Sequence, residues 1–414
     1  MNHISSNRNA INLKAAARRN ARTGVLHLCA DLDYGDPARE TVNLAVLTQR
    51  LGWRALIASA GGTLVTEAER AAVKHVRMPL DNHGLLTNWR NRVHLEALVQ
   101  RERPVLIHAH GIDTVEIGGR LSRLHRLPLI ADLTQPLPDT PATHRLLSQV
   151  AQTSCTIRVP TKAMFKHVTT AFQINPAIVA VVPPGIDLQS YNPAAVSAER
   201  LHNLSRLWRL PDQAIVALVP MPLSPQMGHS NLLHALAQAK EEHLYAIMVG
   251  SDRYAPGLRN ELEQTIERLG MQGKVIMPET CPDWPAAFWL ANVVIAPNIA
   301  MRGQNMEILA AQALGRPVIV TAVGANEEMV IKGETAWVLP PDNITAMSKA
   351  LSEAARMTTD QRVSLADNTR YFIEDNFAQA DWFNGMMELY EDLMFPSGRT
   401  AAAPVQSEPA VRVA

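Results

Sequence analysis

The segment from Val293 to Val338 narrows the choice of folds more than any other stretch of the chain. Val293 to Ala296 is an apolar run bounded by Pro297 and Asn298, the pattern of a buried parallel strand. A polar loop follows. Apolar residues then recur at Met306, Leu309, Ala310 and Ala313, which is helical spacing, and Gly315 stops that helix. Pro317 precedes a second buried run, Val318 to Val320. Gly324 breaks it, and Asn326-Glu327-Glu328 is expected to open a short helix. The unit reads strand–loop–helix–strand–loop. In an open parallel sheet, loops leaving the carboxyl ends of strands are where ligands bind.

The same alternation runs through the rest of the chain. Strands are expected at 25–29, 55–58, 105–108, 129–131, 155–159 and 179–182, separated by helices, with 76–91 read mostly as loop. A second series begins at 214–218 and continues through 245–249 and 275–277. Helices at 346–356, 361–376 and 381–393 close the chain. Repeated strand–helix alternation argues for an α/β protein with doubly wound parallel sheets. With 414 residues, two or three domains are expected.

Charge excludes one class of function. Lys and Arg number 39, and so do Asp and Glu, so the basic face of a nucleic-acid binder is not expected. The three cysteines, Cys29, Cys155 and Cys281, lie far apart and form neither a metal-ligand pattern nor a disulfide framework. No apolar run reaches the roughly 18–20 residues that span a bilayer. The first 22 residues are basic, with Arg8, Lys14, Arg18, Arg19 and Arg22 and no acid. They read as a loose leader or as a segment resting on an anionic membrane surface.

The residues Ala311, Ala313, Gly315-Arg316-Pro317-Val318-Ile319, Gly324, Asn326, Glu328, Val330, Gly333 and Val338-Leu339-Pro340-Pro341 resemble the C-terminal half of the family-four glycosyltransferases. Val182-Pro183-Pro184-Gly185-Ile186-Asp187 resembles that family's interdomain crossover. The resemblance implies the GT-B fold, two Rossmann-like domains facing a cleft. On that reading 1–22 is the leader, 23–184 the acceptor-side domain and 185–375 the nucleotide-sugar domain. Residues 376–396 are a helix crossing back, and 397–414 a tail of disordered composition.

The family carries two glutamates eight residues apart; anchored on Gly315-Arg316-Pro317, those positions hold Arg302 and Ala310. Its diphosphate-binding Arg and Lys correspond to Pro222 and Met227, aligned on Gly228, and its His-Gly pair to Thr134-Gln135. Gly35-Asp36-Pro37-Ala38-Arg39 matches its glycine-rich loop. The resemblance therefore makes Gly35, Arg39, Gly228, Arg302, Glu307, Asn326 and Glu328 candidates for donor binding, with Arg302 and Glu307 as replacements for lost groups. His108 and His110, at a strand end, are candidates on the acceptor side; their spacing alone is no metal signal. No cofactor and no metal are expected.

Two functions follow. One is a retaining glycosyltransferase of cell-envelope or polysaccharide assembly, cytoplasmic or peripheral on the inner membrane face, moving a sugar from a nucleotide to a glycan or lipid-linked acceptor. The other is a catalytically silent relative that scaffolds or regulates a partner glycosyltransferase. An epimerase on the same fold is a third and less specific reading.

Overall fold

The computed structural model describes residues 24–33, 35–82, 84–253 and 255–395. The basic leader and the segment beyond Phe395, to which the sequence assigns membrane contact and disorder, lie outside the described residues. The chain divides into two compact units. Unit 1 comprises the chain up to Pro183 together with the segment from Trp382 onward, and unit 2 is Pro184–Asp381.

Unit 1 is built on seven strands: β1 (Gly24–Cys29), β2 (Arg54–Ser59), β3 (Lys74–Arg77), β4 (Leu106–His110), β5 (Leu129–Asp132), β6 (Cys155–Val159) and β7 (Val179–Val181). Their order is β3-β2-β1-β4-β5-β6-β7, and every pair is parallel. The connecting helices are α1 (Asp36–Arg50), α2 (Val65–Arg70), α3 (Leu85–Glu102), α4 (Ile112–His125), α5 (Pro141–Ala151) and α6 (Lys162–Ala171). Local chemistry sets their starts. The Thr140 hydroxyl accepts from the Thr143 amide ahead of α5, and Thr161 accepts from Met164 ahead of α6.

Unit 2 holds α7 (Ala198–Leu207), β8 (Ile215–Val219), α8 (His229–Ala239), β9 (Leu244–Met248), α9 (Leu258–Arg268), β10 (Val275–Ile276), α10 (Trp284–Leu290) and β11 (Val293–Ala296). It continues with α11 (Met306–Ala313), β12 (Val318–Thr321), β13 (Ala336–Leu339), α12 (Ile344–Ala355) and α13 (Thr359–Asn376). Its parallel sheet runs β10-β9-β8-β11-β12-β13. A reciprocal Thr358–Gln361 capping box starts α13. The last helix, α14 (Gln379–Met394), sends Trp382, Phe383, Met386, Met387 and Tyr390 into one apolar cluster with Val25, Leu44, Leu106 and Val182 of unit 1.

Three expectations need correcting. Residues 76–91 are not mostly loop: β3 ends at Arg77 and α3 begins at Leu85. The helical period is blurred there because Leu86, Trp89 and Val93 face solvent instead of the core. Helix α2 has no counterpart in the sequence reading; its six residues bury only Ala68, too little for a pattern. The short helix expected at Asn326 is a 3-10 turn spanning Gly324–Met329. Among the described residues no helix is long and apolar enough to cross a membrane.

Candidate functional site

In unit 2 the loops after β8, β11 and β12 leave the carboxyl ends of adjacent parallel strands and meet. Gly228, at the start of α8, adopts φ +70°, and a Cβ there would stand 2.1 Å from the Pro297 carbonyl oxygen. Only glycine permits that approach. The Ile299 amide donates to the Gln226 carbonyl at 2.9 Å, tying the β11 loop to the β8 loop. The Ala325 amide donates to the Arg302 carbonyl at 3.2 Å, tying it to the β12 loop. The structure thus brings together Gly228, Arg302, Glu307 and Asn326, with Glu328 half-buried in the same 3-10 turn.

Arg302 and Glu307 form an ion pair, guanidinium Nη1 to carboxylate Oε2 at 3.5 Å, and their side chains are 11% and 20% exposed. Glu307 lies in the first turn of α11, where the helix dipole favours a carboxylate. Asn326 has a different job from the expected ligand contact. It is fully buried, and its Nδ2 donates to Asn298 Oδ1 and to the Thr321 carbonyl, both at 3.0 Å. Its Oδ1 accepts from Asn305 Nδ2 at 3.3 Å. An amide so engaged fixes the loops and has little left for a ligand. Of the positions where the family carries charge, Ala310 is buried in the apolar core, Pro222 is exposed and Met227 is half-buried.

The unit 1 candidates are scattered. Gly35 (φ +109°) precedes α1. Arg39, one turn on, pairs with Glu67 at 2.7 Å with both side chains about half exposed. Thr134 is buried beyond β5. His108 and His110 were expected to meet substrate from the strand end; instead both are buried, 0% and 3% exposed. Strand register explains why. His27 lies beside His108, His110 beside Asp132, and Asp132 beside Arg158. Residues two apart on a strand share a face, so all five side chains form a polar layer on one face of the sheet.

The layer is closely connected. His27 Nδ1 lies 3.1 Å from His110 Nε2, and His108 Nδ1 lies 2.8 Å from the Tyr390 hydroxyl of α14. Asp132 Oδ2 is 3.5 Å from His108 Nε2 and 3.8 Å from His110 Nδ1. Arg158, fully buried, donates to Asp132 at 3.0 Å, to Glu40 at 3.1 Å and to the Val182 carbonyl at 2.7 Å. Burial pulls the Arg158 pKa down, but Asp132 and Glu40 more than offset it and hold the guanidinium charged. Burial lowers the imidazoles: His27 to about 3, and His108 and His110 well below the usual histidine range. Neighbouring imidazoles and Arg158 push His108 and His110 the same way. The sequence reading missed His27, Asp132, Arg158 and Tyr390. The available signal was a polar residue at matching parity in each of four otherwise apolar strands.

Two family profiles match the chain: "Glycosyltransferase Family 4" over residues 38–190 and "Glycosyl transferases group 1" over residues 214–356. Together they take in well over half of the sequence and fall one on each unit. A D-inositol 3-phosphate glycosyltransferase of Corynebacterium urealyticum is 26% identical over 255 residues, 59% of this chain and 58% of the relative. The chain thus spans little more than half of that relative's length. An Escherichia coli UDP-Gal:alpha-D-GlcNAc-diphosphoundecaprenol alpha-1,3-galactosyltransferase is 20% identical over 331 residues, 76% of this chain and 82% of the relative. Among solved structures, Anabaena Alr3699/HepE in complex with UDP and glucose superposes with a TM-score of 0.81, at 20% identity, over 89% of this chain and all of that one. Profiles on both halves, two parallel Rossmann-like sheets and these neighbours agree: the chain belongs to the family-four glycosyltransferases of GT-B fold.

Proposed function

We propose that the protein transfers a sugar from a nucleotide donor, with retention, in the assembly of a cell-envelope or polysaccharide glycan, and that Arg302 supplies the cation that steadies the leaving diphosphate. One observation carries this reading. Arg302 stands in the loop leaving β11, beside the start of α11, and its pairing with Glu307 is a loose 3.5 Å. A guanidinium can give two parallel hydrogen bonds to phosphate oxygens, and a phosphate is a better partner than one carboxylate oxygen at that distance. Glu307 then holds the guanidinium in place until donor arrives. The relatives support the donor class: one solved neighbour holds UDP and glucose, and the E. coli relative is named for a UDP-sugar and a lipid-linked acceptor. The reading calls for no metal or cofactor at this site.

A second reading, a catalytically silent relative that scaffolds or regulates a partner transferase, is favoured by the loop after β8. That loop presents Pro222 and Met227 where the family carries its two cations. Loss of one such donor costs about 10²–10³ in rate.

Thermal unfolding with UDP, GDP and their sugars separates the two. Donor at about 100 times its dissociation constant adds roughly 2.7 kcal/mol, on the order of 2–4 °C per kcal/mol for a unit of this size. The expected result is a shift with one donor that Arg302→Ala erases, together with sugar transfer by the unaltered protein. A midpoint unmoved by every donor sinks the first reading and leaves the second.

A further inference from the structure

We propose that the outward face of α3 lies flat on an anionic phospholipid surface, with Leu86, Trp89 and Val93 entering the headgroup boundary and Arg90 and Arg101 meeting lipid phosphates. The surface belongs to unit 1 alone, and the proposal goes beyond the transferase reading without depending on it. The helix is two-sided. Asn91, Leu95, Leu98 and Val99 are buried against the unit. Positions 86, 89, 90, 93, 94, 97, 100 and 101 recur at helical spacing on the other side; every one is exposed, and none is an acid. Single exposed apolar side chains are ordinary, but a group on one face marks a contact surface. Here Leu86 is 80% exposed, Trp89 63% and Val93 46%, within about two turns. Of the chain's seven tryptophans, Trp89 alone is exposed. An indole, apolar in its body and polar at its N–H, is favoured at a boundary between water and lipid.

Charge selects the occupant. On the flank of α3 beside α4 the charges are neutralised, Arg92 by Glu116 at 3.3 Å and Glu96 by Arg120 at 3.5 Å. Arg90 has no acidic partner among the described residues. Arg101 and Lys74 share one carboxylate, that of Glu102, at 2.7 and 2.8 Å. The charge left over is therefore positive, which suits a negative surface. Arginine stems can lie along the apolar boundary while their guanidinium groups reach phosphate. The leader adds to this charge. The Val105 amide donates to the Gly24 carbonyl at 2.8 Å, so residues 1–22, with five cations and no acid, join the sheet at the end where α3 stops. A segment of that sign is repelled by the face of α3 and is a poor cover for it. Both are drawn to the same anionic surface.

The test uses the full chain and sedimentation with vesicles, and it needs no donor sugar, so its outcome is separate from that of the transfer assay. The expected result is binding to vesicles of mixed phosphatidylglycerol and phosphatidylcholine, weaker in high salt, and little binding to phosphatidylcholine alone. Leu86→Ser combined with Trp89→Ser should lower the affinity about tenfold or more, because two apolar side chains lose their burial. Both side chains are exposed, so the melting midpoint of the variant should match the parent. Arg90→Glu should also weaken binding. Deleting residues 2–22 should weaken it without abolishing it. Tryptophan emission should shift to the blue on anionic vesicles, and Trp89→Phe should lose most of that shift while still sedimenting. A full chain that binds no vesicle overturns the proposal and leaves the face to a protein partner. Binding that is unchanged in the double variant, or that vanishes with the leader alone, overturns it as well.

Discussion

Unit 1 sets His27, Glu40, His108, His110, Asp132 and Arg158 in the dry space between its sheet and the helices α1 and α14. The central strands of unit 2, β8, β11 and β12, carry Val216, Leu218, Val294 and Val318 on one face and Ala217, Ile295 and Ile319 on the other, all buried and apolar. Among the described residues, unit 2 buries no acid and no Lys or Arg; its buried polar side chains are amides and hydroxyls, plus His229. The two sheets share a topology and are filled on different principles. Apolar filling depends on volume and tolerates conservative exchange. An ionic filling depends on every partner being present, because one missing partner leaves a charge stranded away from water.

The largest effect expected from this contrast is at Arg158. Arg158→Leu keeps much of the volume but leaves Asp132 and Glu40 buried without their counter-ion. Breaking a buried pair in this way costs about 3–5 kcal/mol. Denaturant unfolding of the variant against the parent measures it. A loss below about 1 kcal/mol would mean that water or another cation already compensates the two carboxylates, and the contrast between the units would collapse.

The sequence discloses the two kinds of filling unequally. The apolar strands of unit 2 were legible because burial on both faces writes a continuous hydrophobic run: 293–296 and 318–320 recur as β11 and β12. The loop glycines were legible too, since Gly228 marks a backbone approach no other residue allows. The histidine layer was not. His27, His108, Asp132 and Arg158 come from four strands separated by as many as 131 positions between His27 and Arg158, and only register brings them together. Tyr390 is further still, on the last helix. Asn326 shows the same limit on a smaller scale. Its place in a strand-end loop suggested a ligand contact, but Asn298, Asn305 and Thr321 use its amide up.

The next effect sharpens the contrast from the side of unit 2, through His229. Its ring is 2% exposed, and burial lowers its pKa to about 4, partly opposed by the backbone of Ser224 and Met221. In the unfolded chain the same imidazole titrates near 6.5. The unfolded state therefore binds more protons between pH 4 and 6.5. The stabilisation is fully present above about 6.5 and is lost as pH falls toward 4, by roughly 3 kcal/mol in all. Melting curves from pH 7 to 4 should show His229→Gln losing less stability than the parent over that window. Parallel curves would remove His229 as an acid-sensitive point in an otherwise neutral interior.

The smallest effect is expected at Arg39, a charged pair of unit 1 that lies outside the dry layer. Its guanidinium meets Glu67 at 2.7 Å, but both side chains are about half exposed, so water competes for each and salt screens the attraction. Pairs of this kind contribute about 0.2–1 kcal/mol. Arg39→Ala should therefore shift the melting midpoint by no more than a degree or two, and less in high salt. The variant also tests the donor-side assignment, because the glycine-rich loop match makes Arg39 a phosphate contact while the structure gives it a carboxylate partner. If Arg39→Ala leaves the donor-induced thermal shift intact while Arg302→Ala removes it, the cation that matters is on unit 2 and the Arg39–Glu67 pair is surface packing. If Arg39→Ala removes the shift instead, Glu67 is a partner that a donor phosphate displaces. In that case the exposed charges of unit 1, and not its buried ones, take part in binding.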